Sequence, residues 1–200
     1  MGRFLRGLGF GMALVGALSL VAAWQGFGGL VQGSGKVRTE SRAVRDIAEV
    51  DLAAAGTLVI AQGDTESLAI EAEDNVLPYL TAEVRNGRLD LSVKRGTYLR
   101  ATKPIRYTLT VRDLRALKVS GAGDVEMAAL KGERLALRVS GSGKIQLGQL
   151  TADTLAIDIS GSGNVGVGGT VNRQEIDISG SGRVRAEGLA SKGAKIETSG

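Results

Sequence analysis

From Ala116 onward, apolar and polar residues alternate in short runs, and the runs repeat. LKVSGAGDVEM begins at Leu117, LRVSGSGKIQL at Leu137, IDISGSGNVGV at Ile157 and IDISGSGRVRA at Ile176, with IETSG beginning at Ile196. The motif serines Ser120, Ser140, Ser160, Ser179 and Ser199 are separated by 20, 20, 19 and 20 residues. Within one repeat Leu135, Leu137, Val139, Ile145 and Leu147 share one parity, and Ala136, Arg138, Lys144 and Gln146 take the other. A period of two means strands with one buried face. A unit this small cannot bury its own apolar face, so the units must stack. The expectation is an all-β fold: a right-handed parallel β-helix, or β-solenoid, with about 20 residues per coil in the C-terminal half. An N-terminal apolar helix is expected to precede it.

The glycines of the repeat predict a corner. Gly141 and Gly143 share parity with Val139 and Ile145, so a straight strand would point both inward and leave a hole. A turn there uses the freedom of glycine to take positive φ or to let backbone approach backbone. The corner motif comprises Ser120, Gly121 and Gly123 in the first copy and Ser140, Gly141 and Gly143 in the second. Ser160, Gly161 and Gly163 form the third, and Ser179, Gly180 and Gly182 the fourth. The serines then run in a row up the outside.

The template extends backward. VDLAAAGTLVI, Val50–Ile60, aligns with IDISGSGNVGV: Val50 and Leu52 match Ile157 and Ile159, and Leu58 and Ile60 match Val165 and Val167. Further alternations occur at Leu68/Ile70/Ala72, Leu89/Leu91/Val93 and Ile105/Tyr107/Leu109/Val111. Asn86-Gly87 is a turn signal. Tyr98–Pro104 reads as a loop, and only Asp74–Leu80, DNVLPYL, suits a helical turn. Residues 37–116 are expected to form irregular coils and 117–200 regular ones, in one continuous domain. At the other end Gly200 falls inside a motif, so either further chain or a second copy is expected to meet the last coil.

Upstream, Arg3 and Arg6 precede the uncharged, apolar stretch Leu8–Trp24, with small residues at Val21-Ala22-Ala23. Residues 1–23 are read as a signal peptide or an N-terminal membrane anchor and 24–36 as a Gly-rich tether. Both readings export the body to the periplasm, outer envelope or cell surface, with membrane contact only through this segment.

Composition narrows the chemistry. The 200 residues include no cysteine and no histidine, which removes disulfides, thiolates, Cys/His metal sites and imidazole acid–base chemistry. The formal charge of +4 is spread among both signs, unlike a nucleic-acid footprint. Gly161, Gly163 and Gly166 have the G-x-G-x-x-G spacing. The next residues, VGGTVNRQEIDIS, read as strand, turn, strand rather than the helix a dinucleotide site requires. GSGK at Gly33–Lys36 and Gly141–Lys144 lacks the other positions of a phosphate loop. No catalytic residue, cofactor or metal ligand is assigned. One column, Lys118, Arg138, Asp158, Asp177 and Glu197, would stack with its acids about 4.8 Å apart. It is read as an exposed row with Arg138–Asp158 pairing, and as a weak calcium site only by hypothesis.

The signal segment, VDLAAAGTLVIAQGD, VRNGRLDLSVK, IRYTLTVRDLRALKVSGAGDV and the SGSG repeats together resemble the family described as "putative auto-transporter adhesin, head GIN domain". The resemblance implies an exported bacterial β-helix without established enzymatic activity and brings no site residues with it. The reading is a non-catalytic binding, adhesin-like or scaffold module. Its partner would be an envelope polymer, a glycan or a surface protein, or a second copy met through the open C-terminal coil. The alternative is a polysaccharide-binding or polysaccharide-acting protein with its site in the irregular half, near Tyr79, Tyr98 and Tyr107. A self-assembling envelope scaffold is a further alternative.

Overall fold

The computed structural model describes residues 29–199. The signal or anchor, the apolar helix and the first part of the tether are expected at positions outside the described residues. The strands are β1 (Leu30–Gln32), β2 (Val37–Arg42), β3 (Glu49–Leu52), β4 (Thr57–Gln62), β5 (Ser67–Glu73), β6 (Leu80–Arg85), β7 (Arg88–Val93) and β8 (Tyr98–Arg100). They continue with β9 (Arg106–Val111), β10 (Ala116–Val119), β11 (Asp124–Lys131) and β12 (Arg134–Val139), and end with β13 (Lys144–Ile159), β14 (Asn164–Ser179) and β15 (Arg183–Ser199). Among the described residues the one helical element is a 3₁₀ turn, Leu77–Tyr79, where Pro78 presets φ. No described helix is long and apolar enough to cross a membrane.

The expected parallel β-helix is corrected. The strands β2 to β7 and β9 to β15 join in one 13-stranded sheet, wrapped into a nearly closed barrel. Two observations overturn the expectation. First, from Lys144 onward the stretches between successive corners do not break into separate short strands. β13 and β14 run for 16 residues each and β15 for 17, and β13 pairs with β11 along its first part and with β12 along its second. That double pairing fuses the two flanks into one sheet. Second, both outer flanks are antiparallel: β2 on β5, β5 on β9, and β6 on β7. The period prescribes parallel, in-register neighbours, and these are present, as Leu117↔Leu137 and Leu137↔Ile157 show. The period is silent on whether successive strands stay separate or merge.

Local chemistry explains several elements. Asn86 and Gly87 both have positive φ, 51° and 78°, the signature of a tight two-residue hairpin turn joining β6 to β7. The 19-residue step also has a cause. β14 lacks one residue opposite Gly148-Gln149, where the register shifts between Leu147 and Leu150, and Gly169 takes φ +117 to absorb it. Tyr98–Arg100, expected as loop, is strand β8 paired with β1.

The interior is filled by stacked aliphatic side chains, among them Leu52, Leu58, Leu117, Leu137, Ile145, Leu147 and Ile159, all essentially inaccessible. Val50 and Leu52 are paired with Leu117 and Val119, and Leu58 and Ile60 with Val125 and Met127, which is the register the sequence alignment of these segments predicts.

Candidate functional site

The SGxG corners set the spacing of everything outside them. Each corner hydrogen-bonds to the one before: Ser142 N–H donates to Gly121 O at 3.2 Å, Ser162 to Gly141 O at 3.1 Å, and Asn164 to Gly143 O at 3.1 Å. A Cβ on Gly141, Gly161 or Gly180 would run into the carbonyl of the preceding corner. Close approach is therefore the reason for glycine at most of these places. Positive φ is the reason only at Gly180, with φ +135. Gly123, Gly143 and Gly163 are buried, while Ser140, Ser160 and Ser179 are exposed. Ser120 is half-buried and donates its hydroxyl to Asp51 Oδ1 at 2.9 Å. The corner residues thus stack into one ridge.

Beside the ridge lies the charged column, longer than the repeats indicate. Glu83, Asp90, Asp51, Lys118, Arg138, Asp158, Asp177 and Glu197 are successive register partners across eight strands. The aligned copy at Val50–Leu52 sets Asp51 in the column, but the repeats do not place Asp90 and Glu83 there, although LDL at Leu89–Leu91 carries the same apolar–acid–apolar pattern as IDI. Arg138 and Asp158 are neighbours but make no ion pair among the described residues. The pair that forms is Lys118 Nζ to Asp51 Oδ2, at 3.3 Å, with the Asp51 side chain only 18% exposed. Among the described residues no three carboxylates converge on a point where a metal could sit. Millimolar calcium is therefore expected to leave the melting temperature within about 1 °C, as differential scanning fluorimetry would read it.

Two positions upstream of the column runs a row of small residues. Ala116, Ala136 and Ala156 are register partners and half-buried. The same row continues to Glu49 and Arg88 at one end and to Glu175 and Lys195 at the other. An ion pair closes each end: Arg88–Glu49 at 3.0 Å and Lys195–Glu175 at 3.1 Å. The neighbouring carboxylates hold both pKa values above their ordinary positions, that of Arg88 chiefly through its hydrogen bond to Glu49, and that of Lys195 through its bond to Glu197, 2.9 Å away, and then to Glu175. Because charged side chains stand taller than alanine methyls, the row is a shallow trough. Arg138, Asp158, Asp177 and Glu197 line one side, and the row Arg134, Thr154 and Arg173 lies on the other. From Glu49 to Glu175 it crosses four strand spacings, about 19 Å.

The other motifs resolve differently. Gly166 lies inside strand β14, where a Cβ would press on the Gln146 side chain, so no helix opens at the third glycine of the G-x-G-x-x-G run. At Gly33–Lys36 the backbone donors that a phosphate would need are taken. Gly35 N–H donates to Glu73 Oε1 at 2.6 Å, and Ser34 N–H to Asn75 Oδ1 at 2.9 Å. The three tyrosines form no common surface: Tyr107 is buried in the core, Tyr79 is half-buried and Tyr98 is 74% exposed. Burial pushes the Tyr107 phenol pKa upward.

Comparison with known proteins finds a family and several solved structures similar to this chain. A model of the family described as "Putative auto-transporter adhesin, head GIN domain" matches residues 46–200. The chain belongs to this family. Solved structures similar to this head GIN domain include a putative adhesin from Bacteroides fragilis NCTC 9343. It is 25% identical, with 85% of this chain and 79% of that chain covered and a TM-score of 0.81. A putative lipid binding protein from Parabacteroides distasonis ATCC 8503 is 22% identical, covering 85% of this chain and 81% of that one, with a TM-score of 0.72. A putative adhesin from Parabacteroides merdae ATCC 43184 is 20% identical, covering 86% and 81%, with a TM-score of 0.67. The last two show the shared fold alone. Comparison with curated proteins gave no match. The family's own description, "putative auto-transporter adhesin", sets the chain among adhesin-like proteins.

Proposed function

We propose that this protein is an exported, non-catalytic binding module of the cell envelope or surface, and that the alanine trough holds an extended glycan-like polymer. The in-register row Ala116–Ala136–Ala156, recessed between charged rows and stopped by an ion pair at each end, carries this reading. A rigid sheet spaces the flanking Arg and Asp side chains at the regular strand interval, and such groups bond the hydroxyls of a repeating chain in both donor and acceptor senses. The trough is open and shallow, which suits a long ligand lying across strands better than a small one that needs enclosure. Membership of an adhesin family supports the surface setting, and the basic-then-apolar N-terminus supports export.

Filling the trough tests it. Ala136→Phe is expected to weaken binding on an envelope-glycan array about tenfold, the scale of one obstructed contact, without altering the circular dichroism spectrum. The same glycans are expected to show no release of reducing ends on incubation with the protein. Equal array binding by Ala136→Phe would refute the trough as the binding surface. Release of reducing ends would favour the polysaccharide-acting alternative.

A further inference from the structure

The segment Lys94–Arg106, KRGTYLRATKPIR, carries five cations and no acid. Lys94, Arg95, Arg100, Lys103 and Arg106 are all exposed, and none forms an ion pair among the described residues. Strand β8 lies within this segment and pairs with β1 in a two-stranded ribbon. Alternation gives the ribbon two faces. Val31 and Leu99 are half-buried, with Leu99 packed on the core. Leu30 and Tyr98, direct register partners, are 66% and 74% exposed. Two large apolar side chains thus stand side by side in water, with Arg100 the next residue along the same face. The ribbon is firmly held. Gly33 N–H donates to Arg100 O at 3.0 Å, and the Glu73 carboxylate accepts the N–H groups of Gly35, Thr102 and Lys103. Glu73 is buried in those bonds, and Asp74 accepts the Ser34 hydroxyl. Glu71 is the register partner of Arg106, and Glu83 and Asp90 share a hollow with Lys94 and Arg95. Arg100 and Lys103 therefore carry the charge beside the apolar pair.

We propose that this face is a membrane-surface site, at which Leu30 and Tyr98 enter the headgroup layer of a bilayer and the cations beside them meet anionic phospholipid. The pairing of chemistries selects the occupant. A soluble polyanion would satisfy the cations but leave Leu30 and Tyr98 in water, whereas an anionic lipid surface takes up both. Tyrosine suits the headgroup level, with its ring against the acyl chains and its hydroxyl in water. Arginine and lysine lay their stems on apolar surface and keep the charge among the phosphates. The Glu73 bonds present the face already ordered, which spares the cost of ordering it on contact. None of these residues lines the alanine trough, so the two surfaces act separately. Membrane contact then belongs to the folded domain as well as to the N-terminal segment.

The chain has no cysteine, so a single added one can report contact. The full chain with Ala101→Cys carries an environment-sensitive fluorophore and is mixed with phosphatidylcholine vesicles, with or without phosphatidylglycerol. A nitroxide lipid quenches any label that meets the bilayer. Ala128→Cys, exposed on β11, is the comparison, and the apolar stretch Leu8–Trp24 is present in both. Label at Ala101→Cys is expected to be quenched on phosphatidylglycerol vesicles, and label at Ala128→Cys is not. Added salt is expected to reverse the quenching. Each cation near an anionic surface is worth roughly fivefold in binding. Arg100→Gln with Lys103→Gln is therefore expected to lower the ratio of seated to free label about twentyfold, and Arg100→Lys to leave it unchanged. Tyr98→Ser is expected to lower it about tenfold at low salt, through lost apolar contact. Circular dichroism separates these losses from loss of the fold. Equal quenching with and without phosphatidylglycerol, or equal quenching at the two positions, would overturn the proposal. Label at Ala101→Cys that is already shielded without vesicles would overturn it too, and give the face to another part of the chain. Shielding by dextran sulfate without quenching by lipid would give it to a soluble polyanion instead.

Discussion

Replacing Gly141 by alanine is expected to lower stability by about 1–3 kcal/mol, the cost of forcing an extra methyl into a filled space. The nearest atoms to the new Cβ would all be backbone: the Gly121 carbonyl oxygen, its carbon at 3.0 Å and Ser120 O at 3.3 Å. A side chain could rotate away, but a carbonyl in the corner ladder cannot. It accepts the Ser142 N–H at 3.2 Å, so moving it strains the bond that joins two corners. Alanine would regain roughly 0.5–1 kcal/mol through its smaller loss of backbone freedom, which is less than the packing cost. For a chain of this size each kcal/mol moves the midpoint by roughly 2–4 °C, so thermal unfolding should begin several degrees earlier. Gly193→Ala is the matched comparison. A Cβ there would meet nothing within 4 Å, and its midpoint is expected to stay the same or rise slightly. Equal losses at the two positions would show that propensity, not close approach, selects glycine in the corner.

Glu73→Gln is expected to release the N-terminal segment from the barrel. Glu73 is the buried charged residue of the core, 1% exposed. Its carboxylate accepts four bonds: from Thr102 Oγ1 at 2.6 Å, Gly35 N at 2.6 Å, Thr102 N at 2.9 Å and Lys103 N at 3.4 Å. An amide NH₂ in that place would face donors, which leaves polar groups unpaired. Cleavage by trypsin after Lys36 and Arg100 is expected to quicken about tenfold as these segments open locally, while the later strands stay protected. The same bonds, Thr102 Oγ1–H foremost, hold the Glu73 pKa down at about 2 from an ordinary 4.5, against the upward push of burial. Because the folded value lies below the unfolded one, the contribution to stability is full above pH 4.5. It fades as pH falls towards 2. Asp74, which accepts the Ser34 hydroxyl at 2.5 Å, is shifted in the same direction. Urea midpoints followed from pH 5 to pH 2 should fall more steeply for the parent than for Glu73→Gln. Parallel curves would show that this carboxylate does not link stability to pH.

The latch formed by Glu73, Asp74 and Asn75 had little signal in the sequence. Nothing in EDN indicates that it will fold back on Gly33–Lys36, nearly 40 positions away. Asp74 N–H donates to Lys36 O at 2.8 Å, and Asn75 Nδ2 to Gln32 O at 2.7 Å, so part of the expected tether is held against the barrel. The charged column was partly legible. Its members from Lys118 onward come from the repeat, and Asp51 lay in the aligned copy. Asp90 and Glu83 join only because β7 pairs with β3 and β6 with β7.

What the sequence determined by itself is the local rule. Alternation prescribes strands with one buried face, the 20-residue step prescribes parallel partners in register, and Ser-Gly-x-Gly prescribes corners where backbones touch. Each of these depends on contacts between neighbouring copies of one pattern, so the pattern contains them. What only the tertiary structure decided is how the strands close. The fusion of β11 and β12 onto one long β13, the antiparallel flanks and the barrel they complete depend on pairings between unlike segments, whose register no repeat encodes. The trough between Arg88–Glu49 and Glu175–Lys195 belongs to the second kind, since its floor comes from the repeat and one of its stops comes from β3 and β7.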